Sequence, residues 1–310
     1  MLQPCLGVVL IPDDFTLADW PERAAKAGLN TIALHHSSST KIVESFVASD
    51  RGQSVIERSV ALGLQVEYEL HAMRDLLPRE LFDRNPEMFR MNAHGDRTPD
   101  ANCCAYSASA LDVIVENAVA LCSRLRPTTS RYFLWGDDGA EGCQCPQCAG
   151  LSFSDQAVLL ENHMLAALRK NASGATLAHL AYEPTFRPPT QIKPSPGIFL
   201  EFAPIRRSYD KPLAEQPEQL EFLDANIEWF GTEGAQALEY WIDVSLFTHW
   251  KRPCAKLPDR GELIAADVAT YAARGLRSVT SFGVMLDAEY AESYGELPLA
   301  DYADGRKAQL

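Results

Sequence analysis

Residues 6–36 read LGVVLIPDDFTLADWPERAAKAGLNTIALHH. LGVVLIP (6–12) is an apolar, β-branched run closed by Pro-Asp-Asp, which predicts a buried strand. LADWPERAAKAG (17–28) carries apolar residues at helical spacing and stops at glycine. NTIALHH (30–36) is a second apolar run. A strand, a helix and a strand in this order form the unit of a parallel sheet with helices on its face. The first turn also excludes something. LIPDDF stands where a doubly wound nucleotide fold would carry its glycine-rich phosphate loop.

The unit recurs along the chain. SVIERSVALG (54–63) predicts a helix, LQVEYELH (64–71) a strand, ALDVIVENAVALCSRL (110–125) a helix and RYFLWG (131–136) a strand. SDQAVLLENHMLAALRKN (154–171) is a helix opened by a Ser-Asp cap. ATLAHLAYE (175–183), GIFLEFAP (197–204), AQALEYWID (235–243) and LRSVTSFGV (276–284) predict strands. EQLEFLDANIEWFG (218–231) and ELIAADVATYAARG (262–275) predict helices ending at glycine. Eight strands result, with weak helical signals only after the fifth and eighth, and a long irregular stretch at 72–107. The 310 residues suit one α/β barrel, a fold of ~250 residues before insertions. No repeat or linker interrupts them. The expectation is a single domain, 1–310, folded as a (β/α)8 TIM barrel with long rim loops.

Composition narrows the partners. The chain is 46% hydrophobic and 23% charged, enough to build a core and unlike a disordered chain. A net charge of −14 argues against nucleic acid and against an anionic membrane surface. No run of about 18 apolar residues is present to span a bilayer. The start, MLQPCLGVVLIPDDF, lacks a basic n-region and reads as a strand. A cytoplasmic location with reduced thiols is therefore expected for the eight cysteines.

A barrel of this kind works at the C-terminal ends of its strands. In order, those ends carry Asp13 and Asp14, His35 and His36, Glu69 and His71, then Asp137 and Asp138 behind Trp135. The later ends carry Tyr182 and Glu183, Glu201 with Arg206 and Arg207, Tyr240, Trp241 and Asp243, and finally Asp287 and Tyr290. Carboxylates that grip hydroxyls and rings that stack on sugar faces suit a small carbohydrate. Glycoside cleavage generally uses two carboxyl groups flanking the scissile bond. Asp137 or Asp138 supplies one of them. Asp-Asp-Gly is also a turn signal, and neighbouring strand residues point opposite ways, so at most one of the two faces the centre. Asp243, then Glu183, are the candidates for the partner. Asp14, His36, His71, Trp135, Tyr182, Glu201, Arg206, Tyr240, Trp241 and Asp287 are candidates for binding substrate.

Cys143, Cys145 and Cys148 form C-x-C-x-x-C. Three thiolates fit one metal, and Cys104 or Cys103 can bring the fourth that a closed structural zinc site needs. A disulfide and a group of plain reduced thiols fit the same spacing. No organic cofactor is expected.

The segments HAMRDLLP (71–78), NPEMF (85–89), HGDR (94–97), CAYS (104–107), GDDG (136–139) with CQCPQC (143–148), LAYEPTFRPP (180–189) and YWID (240–243) resemble a bacterial barrel family known as domain of unknown function 4838. Their order and spacing match over more than half of the chain. That family lies near alpha-glucuronidase-like and hexosaminidase-like glycoside hydrolases. The resemblance implies a glycosidase-like barrel, with His71, Asp137, Cys104, Cys143, Cys145, Cys148 and Asp243 at motif positions. Family members often carry an amide where Glu183 stands, and are often secreted and longer, so a small glycoside or oligosaccharide is favoured here. In the remoter hexosaminidase barrels an acidic pair ends the fourth strand, as Asp137-Asp138 does here, with Asp where Glu is usual. A non-catalytic sugar-binding barrel is the alternative. So is a metal-dependent hydrolase or isomerase using His35, His36 and His71, though the first strand lacks the H-x-H that such sites favour.

Overall fold

The computed structural model describes residues 4–300 and 302–303. Of the span 1–310 expected for the domain, residues 1–3, 301 and 304–310 lie outside the described residues. Eight parallel strands close into a barrel in chain order. They are β1 (Leu6–Leu10), β2 (Thr31–His36), β3 (Gln65–His71), β4 (Arg131–Trp135), β5 (Thr176–Ala181), β6 (Ile198–Phe202), β7 (Gln236–Glu239) and β8 (Ser278–Phe282). Closure is made by β1 against β8, with Leu6 opposite Val279 and Val9 opposite Phe282. The molecule is a (β/α)8 TIM barrel.

The helices are α1 (Trp20–Ala27), α2 (Thr40–Ala48), α3 (Asp50–Ala61), α4 (Met73–Leu76), α5 (Ala108–Leu125), α6 (Phe153–Asn171), α7 (Pro217–Phe230), α8 (Val244–Thr248), α9 (Gly261–Ala272) and α10 (Ala288–Tyr294). Ser39, Ser49, Ser107 and Ser152 cap α2, α3, α5 and α6 with their hydroxyls, each satisfying a backbone N–H that has no partner within the helix. As the sequence foreshadowed, β5 is followed by a single 3-10 turn, Glu183–Thr185, and β8 by the short α10. The helix over 40–48 was not foreseen. Its TKIVESFVA run is short and is bent into α3 at Ser49, which ends one helix and caps the next.

The apolar core fills the space between barrel and helices and continues inside the barrel. Strand alternation separates the two populations. Along β7, Gln236 reaches inward to Glu201 and Glu69. Glu239 points out, accepting from the hydroxyls of Tyr209 (3.0 Å) and Tyr271 (2.6 Å). The barrel floor is polar: Glu67, Glu69 and Glu201 gather about Arg131 and Gln236, all of the acids fully buried. Burial pushes Glu201 up to about 8, so part of this acidic group carries protons at neutral pH.

Candidate functional site

The strand ends surround a cavity of about 460 Å³ at the mouth of the barrel. His35, His71 and Trp135 form its floor, with His71 edge to face against both His35 and Trp135, His35 tilted on Trp135, and centroid separations of 5.1–5.8 Å. Tyr240, stacked on Phe282 at 5.2 Å, closes one side. Tyr182 closes another, 6.0 Å from His71. The carboxylates on the lining are Asp13, Asp138 and Asp243. Among the described residues no Lys or Arg lines it.

Asp138 follows β4 by three residues. Its side chain is 44% exposed and its Oδ1 accepts the Tyr182 hydroxyl at 3.0 Å. His71 Nε2 lies 3.6 Å from the same oxygen. The other ring nitrogen, Nδ1, is 2.7 Å from the Gly136 carbonyl. A carbonyl only accepts, so Nδ1 carries a hydrogen, and in the neutral ring Nε2 presents a lone pair to Asp138. Burial lowers the pKa of His71, opposed by the Asp138 charge. His35 is fixed in the same way, with Nδ1 2.7 Å from the Glu69 carbonyl, and burial drives its pKa down to about 3. His36 is lowered more gently, by partial burial against the pull of Asp13.

Asp243 stands three strands further round, just after β7. It caps α8: Oδ1 accepts from Ser245 Oγ (2.6 Å) and from the Leu246 N–H (3.3 Å). It is buried, and burial pushes its pKa up to about 6 despite those donors. One carboxyl group is thus open and half-solvated while the other is buried, with one cavity between them.

Of the residues expected from sequence, His36, His71, Trp135, Asp138, Tyr182, Tyr240 and Asp243 line this cavity. The others are held elsewhere, each for an identifiable reason. Asp137 turns away into the loops, where it accepts from the Arg74 and Asn102 N–H groups and pairs with Arg79 at 2.9 Å. Asp14 is buried and ties β1 to the β8 end through the Ile11 and Met285 N–H groups, both at 2.8 Å; Asp13 takes the mouth position instead. Glu201 belongs to the barrel floor. Trp241, one residue beyond the inward Tyr240, points outward and donates Nε1–H to Asp267 at 2.9 Å. Glu183 and Arg206 satisfy each other across the rim in a two-pronged pair. Arg207 is fully buried between Glu239 and Asp267. Asp287 caps α10 and pairs with Arg252.

His35, which the sequence offers at a strand end and as a ligand only in the metal-dependent alternative, also lines the mouth. Trp250, 64% exposed on the mouth, was missed. It follows α8 rather than a strand, and only an unshielded aromatic shortly after YWID marked it.

A second constellation lies beside the mouth. Cys104, on the β3–α5 segment, meets Cys143, Cys145 and Cys148, on the β4–α6 segment, with all four sulfurs within 4.8 Å of one another and buried. Cys104 Sγ is 3.8 Å from both Cys145 Sγ and Cys148 Sγ. A disulfide needs about 2 Å. A tetrahedral zinc with Zn–S bonds of ~2.3 Å separates its sulfurs by about 3.8 Å. The Met91 N–H and the Arg97 guanidinium both point at Cys143 Sγ, at 3.3 and 3.7 Å, as suits a thiolate. The four residues fit a metal ion and do not fit a disulfide.

A family model described as "Domain of unknown function (DUF4838)" matches residues 32–297. No curated protein matches the sequence. Among solved structures, the fold is similar to a beta-galactosidase from the psychrophilic Marinomonas ef1, at 11% identity and a TM-score of 0.59, over 98% of this chain and 59% of that one. It is similar to a beta-N-acetylhexosaminidase from Bacteroides fragilis, at 12% identity and a TM-score of 0.56, over 97% of this chain and 65% of that one. A beta-galactosidase from the Antarctic haloarchaeon Halorubrum lacusprofundi gives 14% identity and a TM-score of 0.59, over 99% and 58%. The chain therefore spans less than two thirds of the length of these neighbours, and the likeness is one of fold.

Proposed function

We propose that this chain, which belongs to the Domain of unknown function (DUF4838) family, is a glycoside hydrolase that removes a terminal sugar from a small glycoside or oligosaccharide. The observation that carries the proposal is the carboxyl pair Asp138 and Asp243, facing one aromatic-walled cavity from separate strand ends. Trp135, Tyr182, Tyr240 and Trp250 offer faces to a sugar ring, and a cavity of this size and lining is what a small ligand needs. Asp138 acts as the general acid toward the leaving oxygen. His71 Nε2, 3.6 Å from Asp138 Oδ1, and the Tyr182 hydroxyl, 3.0 Å from it, flank that carboxyl group. Asp243 acts as base or nucleophile. With a pKa near 6 it is ionised at neutral pH yet close enough to that pH to accept a proton readily.

Turnover of a panel of aryl glycosides by wild type, Asp138→Asn and Asp243→Asn tests this. Each variant is expected to lose on the order of a thousandfold or more in kcat/KM. Equal turnover by wild type and Asp138→Asn would remove that group from the chemistry. Stabilisation by sugars without turnover in wild type would make the barrel a binding module.

The four thiols are proposed as ligands of one structural zinc. With Cys104, Cys143, Cys145 and Cys148 all bound, no coordination position stays open for substrate. The chemistry is therefore left to the carboxyl groups and the ion would act as a cross-link.

A further inference from the structure

Resting on that zinc assignment, we propose that Asn102 is a positioning residue through which the four-cysteine site sets the place of Asp138. The two loops that supply the thiols carry little regular structure: between Met88 and Ala108, and between Trp135 and Phe153, no helix or strand longer than an isolated bridge occurs. Loops of this kind are held by cross-links or they sample many conformations.

The connection from the thiols to the mouth is short. Asn102 precedes Cys104 by two residues and adopts a left-handed backbone, φ 46°, a conformation that asparagine tolerates better than most residues. It reaches the other loop four times. Its N–H donates to Asp137 Oδ2 at 2.6 Å, and its Oδ1 accepts the Asp137 N–H at 2.8 Å. Its Nδ2 donates to the carbonyls of Ala140 (2.9 Å) and Glu141 (3.0 Å), the latter two residues before Cys143. Arg79 seals the latch, bonding the Asn102 carbonyl at 2.7 Å and Asp137 at 2.9 Å.

Asp138 is the next residue in the chain, so the direction of its side chain follows from how Asp137 is pinned. The thiol cluster closes one end of this double-stranded bridge and the barrel closes the other. Freed at the cluster, the two loops would be left with this bridge, the Gln144 N–H to Met91 carbonyl bond (2.8 Å) and the two bonds between Gln156 and the Cys143 backbone. Asp137 thereby gains a purpose that its sequence position had suggested was catalytic: it is the grip by which Asn102 holds its neighbour.

The experiment combines metal analysis with hydrogen exchange, neither of which needs a substrate. The intact protein as purified is expected to carry one zinc per chain, and Co(II) in its place is expected to give the intense thiolate charge-transfer absorption of a four-sulfur site. Chelation, or Cys145→Ser, is expected to raise amide exchange about tenfold or more across 98–104 and 136–150 while β1–β8 keep their protection. Asn102→Ala is expected to retain zinc, to raise exchange at 136–141, and to lower kcat on any glycoside substrate with KM little changed. If the protein binds no zinc, the metal assignment fails and the latch with it, while the glycosidase proposal stands untouched. If zinc binds but its removal leaves exchange at 136–141 unchanged, or unprotects the barrel strands to the same degree, the latch is refuted alone. Should Cys145→Ser fail to fold, chelated wild type and zinc-loaded Asn102→Ala decide the matter.

Discussion

Asp243 is buried as an acid whose folded-state pKa is pushed from 3.8 to about 6. Its ionised form is therefore a liability to the fold. At ~1.4 kcal/mol per pKa unit, the penalty amounts to about 3 kcal/mol once the group is fully charged. The sign follows from linkage. A carboxyl whose folded pKa is raised holds its proton more tightly in the native state, so it costs nothing below about pH 4. The cost grows as pH climbs from 4 through 6, and is complete above about 7. Asp243→Asn keeps an oxygen to accept from Ser245 Oγ and the Leu246 N–H, so the α8 cap survives, and it deletes the charge. The variant should match wild type in urea at pH 4 and exceed it by about 2–3 kcal/mol at pH 8. The melting temperature at pH 8 should rise by several degrees. Wild-type turnover should fall on the acid side as Asp243 takes up its proton near pH 6, and the variant should have essentially no turnover at any pH. A variant that is less stable than wild type at pH 8, or whose advantage does not change between pH 4 and pH 8, would refute the reasoning.

Two further outcomes follow from the charges alone. The cavity brings together Asp13, Asp138 and Asp243 with no Lys or Arg on its described lining; a substrate carboxylate several ångströms from any ionised one of them would be repelled by about 1–3 kcal/mol per contact. Paired glucosides and glucuronides should accordingly differ by at least about tenfold in kcat/KM in favour of the neutral sugar, and equal rates would show that the charge of the mouth is not felt. Arg207 is fully buried between Glu239 and Asp267, so Arg207→Met should cost about 3–5 kcal/mol by stranding two acids, measurable as a lower urea midpoint; an unchanged midpoint would mean that those acids simply take up protons.

The alternation of apolar runs with amphipathic ones is a local property, written into consecutive residues. It was enough to expect eight strands and their order, and even to see that the helices after β5 and β8 would be weak. The family membership was legible from motifs that keep their spacing, C-x-C-x-x-C above all. What could not be read was the direction of individual side chains. Asp137 and Asp138 are chemically identical and adjacent, and Tyr240 and Trp241 are both large aromatics that a sugar site would welcome. Strand parity says that one of each pair faces inward but not which one. That choice belongs to partners far away in sequence: Asn102 and Arg79 for Asp137, Asp267 for Trp241.

The rim charges show the same division. Arg206, Glu183 and Asp287 looked available in the sequence because pairing is invisible there; folded, Glu183 and Arg206 neutralise each other and Arg252 neutralises Asp287. The barrel and the supply of carboxylates, rings and thiols at its open end could be read from the residues, because periodicity and spacing act over a few residues at a time. Folding chose among the candidates, Asp138 over Asp137 and Asp243 over Glu183 for the mouth and Cys104 over Cys103 for the thiol cluster, because closing the barrel sets which strand ends converge.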